Sequence, residues 1–129
     1  MTVTLNHTIV PARDHAEAAR LLAGIMGFEL LPPAGRAGHF RPVRVNETLT
    51  LDFMTAPGAE GHHLAFDADA ATFDAILTRL VEGGVPFGND PATPDNGRVD
   101  HPLCARGLFF RDASGNLYEV MASAENPTA

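Results

Sequence analysis

Two histidines and two carboxylates recur at matched places along this chain. Leu5-Asn6-His7-Thr8-Ile9-Val10 is followed by Leu49-Thr50-Leu51-Asp52-Phe53-Met54-Thr55, and His63-Leu64-Ala65-Phe66 by Asn116-Leu117-Tyr118-Glu119-Val120-Met121-Ala122. Asp52-Phe53-Met54-Thr55-Ala56 and Glu119-Val120-Met121-Ala122-Ser123 match in character position by position. Imidazole nitrogen and carboxylate oxygen together suit a divalent ion such as Fe(II), Mn(II), Zn(II), Ni(II) or Co(II). A site with three such ligands keeps coordination positions open, and an ion there acts as a Lewis acid toward a substrate that offers oxygens.

The elements that must position these residues repeat as well. The first half reads as a strand over 4–10 ending at Pro11, then a helix. Asp14 and Glu17 have capping-box spacing, Ala18, Leu21, Leu22, Ile25 and Met26 form its apolar stripe, and Gly27 stops it. A short strand over 28–31 and a hairpin of 40–45 with 48–55 follow. After Pro57-Gly58-Ala59-Glu60-Gly61, the second half offers a strand over 62–67, Asp69 as N-cap, and the stripe Phe73, Ile76, Leu77, Leu80 and Val81. Next come a strand over 85–88, an irregular segment 89–104, and strands over 107–111 and 117–122. The order is βαβββ twice. His7 and His63 lie 56 residues apart and Asp52 and Glu119 lie 67 apart, the excess being taken up by the 89–104 loop. A duplication is the simplest reading: an α+β domain spanning 1–129, with module one about 4–56 and module two about 62–123.

Alternate residues of a strand share a face. Leu49, Leu51 and Phe53 form one apolar face, so Asp52 lies on the other. Leu64 and Phe66 packed on a helix turn His63 to the opposite side, which favours His63 over its neighbour His62. His7, Asp52, His63 and Glu119 can then all point away from the helices.

Composition narrows the functions. With 129 residues, 45% of them hydrophobic, the chain can build a packed interior, and no apolar run approaches the roughly 20 residues that span a bilayer. The N-terminal residues lack signal-peptide character, and the single cysteine, Cys104, excludes an intrachain disulfide, so a cytoplasmic protein is expected. The net charge of −7 argues against a nucleic-acid partner. All nine basic residues are arginine, which excludes lysine Schiff-base chemistry.

The chain resembles the vicinal oxygen chelate superfamily, which includes glyoxalase I, extradiol dioxygenases, fosfomycin-resistance transferases and bleomycin-resistance proteins. Leu5-Asn6-His7, His63-Leu64-Ala65-Phe66 and Phe110-Arg111-Asp112-Ala113-Ser114-Gly115-Asn116-Leu117-Tyr118-Glu119 carry the resemblance over about residues 4–123; Ala113 stands where many relatives carry Pro. It implies two tandem βαβββ modules forming a curved, sheet-lined cup completed in a homodimer, with His7, His63 and Glu119 as metal ligands and His7 coming from the partner subunit in many relatives. Glu119, Asp52 and His101 are the catalytic candidates, with Asp52 left open as fourth ligand, base or bystander. Arg106 and Cys104 are the substrate-binding candidates, because they sit in or just after the polar 89–104 loop that leads to the strand beside Glu119. A structural salt bridge is the competing reading of Arg106, and a small packed residue that of Cys104. His15 and His39 read as surface residues, and Phe109 and Tyr118 as core.

Two functions follow. One is a metal-dependent lyase, isomerase or dioxygenase of the glyoxalase-like type, taking a small substrate through neighbouring oxygens. The other is a non-catalytic module that sequesters an antibiotic or natural product. The intact set of His7, His63 and Glu119 favours the first.

Overall fold

A computed structural model of the chain describes residues 1–101 and 105–123. Elements run β1 (His7–Ala12), α1 (His15–Met26), β2 (Glu29–Leu30), a 3-10 turn (Arg36–Gly38), β3 (Phe40–Arg44), β4 (Thr50–Thr55), β5 (His63–Asp67), α2 (Ala70–Glu82), β6 (Gly107–Arg111) and β7 (Leu117–Met121). The architecture is mixed α+β, with one four-stranded sheet, one three-stranded sheet and two helices. The chain divides into two compact units. One comprises 1–62 with 112–114; the other comprises 63–111 with the described residues from 115 onward.

In the first unit the strand order is β1-β4-β3-β2, with β1 and β4 parallel and the other pairs antiparallel. A parallel pair needs a long crossover, and α1 with the β2–β3 segment provides it. Asp14 caps α1 by accepting the Glu17 N–H at 3.1 Å, and Gly27 ends it in the left-handed conformation, φ 74°. Ala18, Ala19, Leu22, Ala23, Ile25 and Met26 are its buried residues. The sheet contributes Val10, Val43, Leu51 and Phe53, each at most 2% exposed. β1 runs through Pro11 to Ala12, past the expected stop. It is an edge strand, where a missing N–H need not break the ladder.

In the second unit the order is β5-β7-β6, with β5 parallel to β7 and β6 antiparallel to it. Phe73, Ile76 and Leu80 of α2 are fully buried, as are Leu108, Phe110, Tyr118 and Val120 of the sheet. Val81, expected in the helix stripe, is 63% exposed. The expected strand over 85–88 shrinks to one bridge, in which Gly88 and Phe109 exchange hydrogen bonds of 3.0 and 2.7 Å. Pro86 brings no N–H to a ladder there. A Cβ on Gly88 would sit 2.5 Å from the Thr93 carbonyl oxygen, so the segment is already crowded by its own loop.

No helix among the described residues is long and apolar enough to cross a membrane.

Removing the Phe53 ring leaves a void in a site with no solvent access. Phe53→Ala is therefore expected to lower the unfolding free energy by about 3–5 kcal/mol, read from the urea midpoint at unchanged m-value. The α2 cap gives a pH-dependent counterpart. Asp69 accepts the Thr72 N–H at 2.7 Å, and this backbone bond, followed by one to the Thr72 hydroxyl, holds its carboxyl below the ordinary value of 3.8. A depressed folded pKa contributes stability above the unfolded value, and that contribution is lost as pH falls through the depressed one. The stability gap between the wild type and Asp69→Ala is expected to be constant at neutral pH and to close as pH drops below 3.8.

Candidate metal-binding site

The two units place their histidine and acid by the same register. In the first, His7 lies opposite Thr50 and Ile9 opposite Asp52; in the second, His63 lies opposite Leu117 and Ala65 opposite Glu119. Each histidine thus pairs with the residue two before the acid, which puts His7 with Asp52 on one sheet face and His63 with Glu119 on another. In each unit this face is the one opposite the fully buried residues Leu51 and Phe53, or Tyr118 and Val120.

In the first unit His7 is exposed, and its Nδ1 lies 2.8 Å from Asn6 Oδ1. An amide oxygen only accepts, so Nδ1 carries the proton, and in the neutral ring Nε2 is then the nitrogen with the lone pair, the form a metal ligand requires. Asp52 is half-buried on the neighbouring strand.

The second unit holds a closer constellation. His63 Nε2 lies 3.0 Å from Glu119 Oε1, and His101 Nε2 lies 3.2 Å from Glu119 Oε2. The His63 side chain is 51% exposed, whereas those of Glu119 and His101 are 11% and 6% exposed. Phe109, paired with Glu119 across β6 and β7, touches both imidazoles, at ring-centroid distances of 6.0 Å to His63 and 6.3 Å to His101. The carboxylate is thus buried, with each oxygen facing an imidazole and a phenyl ring beside it. His62 falls just outside β5.

Of the other site candidates, Arg106 turns toward α2. Its guanidinium meets Asp74 at 2.6 Å and lies 4.4 Å above the centre of the Phe73 ring, among the helix-packed residues. That arrangement is the salt-bridge reading of Arg106. Cys104 lies outside the described residues. Phe109, expected as core, is 4% exposed, and strand alternation from Glu119 across the β6–β7 hairpin also places it on the site face. Arg111 shares that face one pair along, opposite Leu117. It lines a cavity of about 300 Å³ with Pro86, Ala92, Pro94 and Asp95. A cavity of about 420 Å³ in the first unit is bounded by Arg13, Glu17, Leu21 and Ser114 among others. Neither is lined by His63 or Glu119.

Two donors about 2.1 Å from one ion and at right angles stand about 3 Å apart, so the 3.0 Å between His63 Nε2 and Glu119 Oε1 suits neighbouring positions on a divalent ion. Among the described residues, no group of three or more His, Cys, Asp or Glu is arranged to hold an ion. The second unit alone therefore supplies a donor pair, of the right chemistry, that needs a third ligand.

The model of the Glyoxalase/Bleomycin resistance protein/Dioxygenase superfamily matches residues 4–120. Among solved structures, the chain is similar to oxidase ChaP-H2 at 37% identity and TM-score 0.84, covering 95% of this chain and 94% of that one. It is similar to oxidase ChaP-H1 at 34% identity and TM-score 0.81, covering 94% and 96%. TnmS3, an antibiotic-binding protein from Streptomyces sp. CB03234, shares the fold at 23% identity and TM-score 0.65, covering 95% and 97%. No curated protein matches the chain.

The close seating of His101 against Gly107 makes the site testable without any ligand. A Cβ on Gly107 would come within 2.5 Å of the His101 ring. Gly107→Ala is expected to displace that ring, changing the His101 imidazole resonances set by Phe109 and lowering stability by about 1–3 kcal/mol. Unchanged resonances would show that the ring is not held there.

Proposed function

The chain belongs to the Glyoxalase/Bleomycin resistance protein/Dioxygenase superfamily, and from that premise we propose a divalent-metal-dependent enzyme that oxidises a small, oxygen-rich molecule. The observation that carries this reading is the buried Glu119 carboxylate with His63 Nε2 3.0 Å from Oε1 on one sheet face. The likeness to two proteins named as oxidases, at 37% and 34% identity, favours oxidation over the lyase and isomerase chemistries found on the same fold.

In this reading His63 and Glu119 are two ligands, and His7, with its Nε2 lone pair, is the third, from the same chain or from the partner of a homodimer. Asp52 occupies the register position of Glu119 in the first unit and is the candidate for a fourth ligand or a proton-accepting base. When bound, the ion supplies Lewis acidity toward neighbouring substrate oxygens and, if redox-active, a means of passing electrons to dioxygen. The chain's own residues do the rest. Glu119 brings negative charge that offsets the cation. The nearly buried Phe109 ring gives an apolar wall that keeps water from one side of the site. The exposed edge of His63 leaves that side open to a substrate.

The second reading, capture of an antibiotic without catalysis, draws on the net charge of −7, which suits a cationic ligand.

One set of titrations separates the two. Protein stripped of metal and titrated with Fe(II) under anaerobic conditions, then with Mn(II), Co(II) and Zn(II), is expected to bind one ion per chain. His63→Ala and Glu119→Ala should each weaken binding by at least 100-fold. Sedimentation on the same samples is expected to show a dimer. Failure of all four ions to bind the wild type would overturn the enzyme reading. Tight binding of bleomycin that survives Glu119→Ala would establish the other.

A further inference from the structure

We propose that His101 is a positioning residue for the Glu119 carboxylate: it ties down Oε2 so that Oε1 alone is presented beside His63. This rests on the reading of Glu119 as a metal ligand.

A carboxylate on a strand can rotate about its last bond, and it can offer a cation one oxygen or both. The two oxygens of Glu119 are not equivalent. Oε1 faces the half-exposed His63, and Oε2 faces His101, whose side chain is only 6% exposed. A carboxylate only accepts, so a bond at 3.2 Å requires that His101 Nε2 carry the proton and donate it. His63 Nε2, 3.0 Å from Oε1, must donate in the same way while no ion is bound, so what separates the two imidazoles is access: the His63 side chain is 51% exposed and reachable by an ion, whereas that of His101 is 6% exposed behind the carboxylate. That gives His101 the role of an outer partner that orients an inner ligand.

His101 lies in an irregular segment, and an outer partner works only if it is itself held. The backbone just before it is pinned repeatedly. Asn89 Nδ2 donates to both the backbone oxygen and Oδ1 of Asp100, each at 3.0 Å, and Asn96 Nδ2 donates to Asn89 Oδ1 at 2.6 Å. Arg98 forms a two-pronged pair with the Asp100 carboxylate, at 3.1 and 2.8 Å, and this hydrogen bonding holds the Asp100 carboxyl below its ordinary value. The Gly107 N–H donates to the Val99 carbonyl at 2.8 Å, joining the loop to the first residue of β6. Next to that tie, Gly107 leaves no room for a Cβ, and the ring fills the space between Gly107 and Phe109, nearly parallel to the phenyl plane at 23°. The loop is a frame that delivers one imidazole to one oxygen.

The test has a metal-free arm and a metal-bound arm. In metal-free protein, two-bond nitrogen–proton correlation spectra are expected to show His101 in the Nε2–H tautomer, with a slowly exchanging proton that is lost in Glu119→Ala. The Nδ1–H tautomer would overturn the proposal. In the second arm, Co(II) is titrated by calorimetry and visible absorption into the wild type, His101→Leu and His101→Gln. Affinity is expected to fall 10- to 100-fold in His101→Leu, with a shifted visible band, and to recover in part in His101→Gln, which keeps an N–H donor. Circular dichroism monitors folding; if His101→Leu does not fold, the comparison of His101→Gln with the wild type and the tautomer arm decide. Wild-type binding of Co(II) with equal affinity and an identical band in the folded variants would overturn the positioning role while leaving the metal reading intact. A wild type that binds no Co(II), Fe(II), Mn(II) or Zn(II) would overturn the metal reading and this proposal with it.

Discussion

Parallel pairing between the first and last strands of each module is the constraint on which everything else rests. β1 with β4 and β5 with β7 share one register, so each histidine lands diagonally beside its acid. That offset is a backbone property, set by ladder hydrogen bonds and not by the chemistry of the side chains. A slip by one residue would turn every side chain of a strand to its other face. Leu51, Phe53, Tyr118 and Val120 would then leave the core, so the apolar face locks the position of the polar one. The site is held in place by residues that never touch it.

The same division explains what the chain disclosed in advance. Alternation of Leu49, Leu51 and Phe53 made the face of Asp52 legible, and Leu64 and Phe66 favoured His63 over His62, whereas 117–122 is apolar on both faces and marks Glu119 only by its charge. Helix caps were equally plain, because Asp14, Gly27 and Asp69 act through local geometry. The expected strand over 85–88 misled because its apolar residues carry β character while Pro86 withholds a donor, leaving the Gly88 bridge alone. The partner of Arg106 could not be read from spacing, since Asp74 lies 32 residues away on a helix. His101 stood out only as a polar residue in a loop. What seats it, the Asn89, Asn96 and Asp100 lattice, has no period to detect.

The two modules surround their histidine and acid differently. In the first, the acid is the shorter Asp52, and the histidine beside it is exposed and bonded to its own neighbour, Asn6. In the second, the acid is the longer Glu119, nearly buried, with an aromatic ring and a second imidazole around it. The two frames share one register, and the 89–104 segment brings the extra imidazole to one of them.

The hairpin joining β6 to β7 carries a further consequence. Its tip, Asp112–Ser114, groups with the first unit, where Ser114 Oγ accepts the Arg13 N–H at 2.7 Å across 101 residues of sequence. On a ribosome, the first unit therefore waits until residue 114 has been made before all its bonds can form. A cut at the glycine-containing linker after β4 would leave the first unit without the serine that closes it.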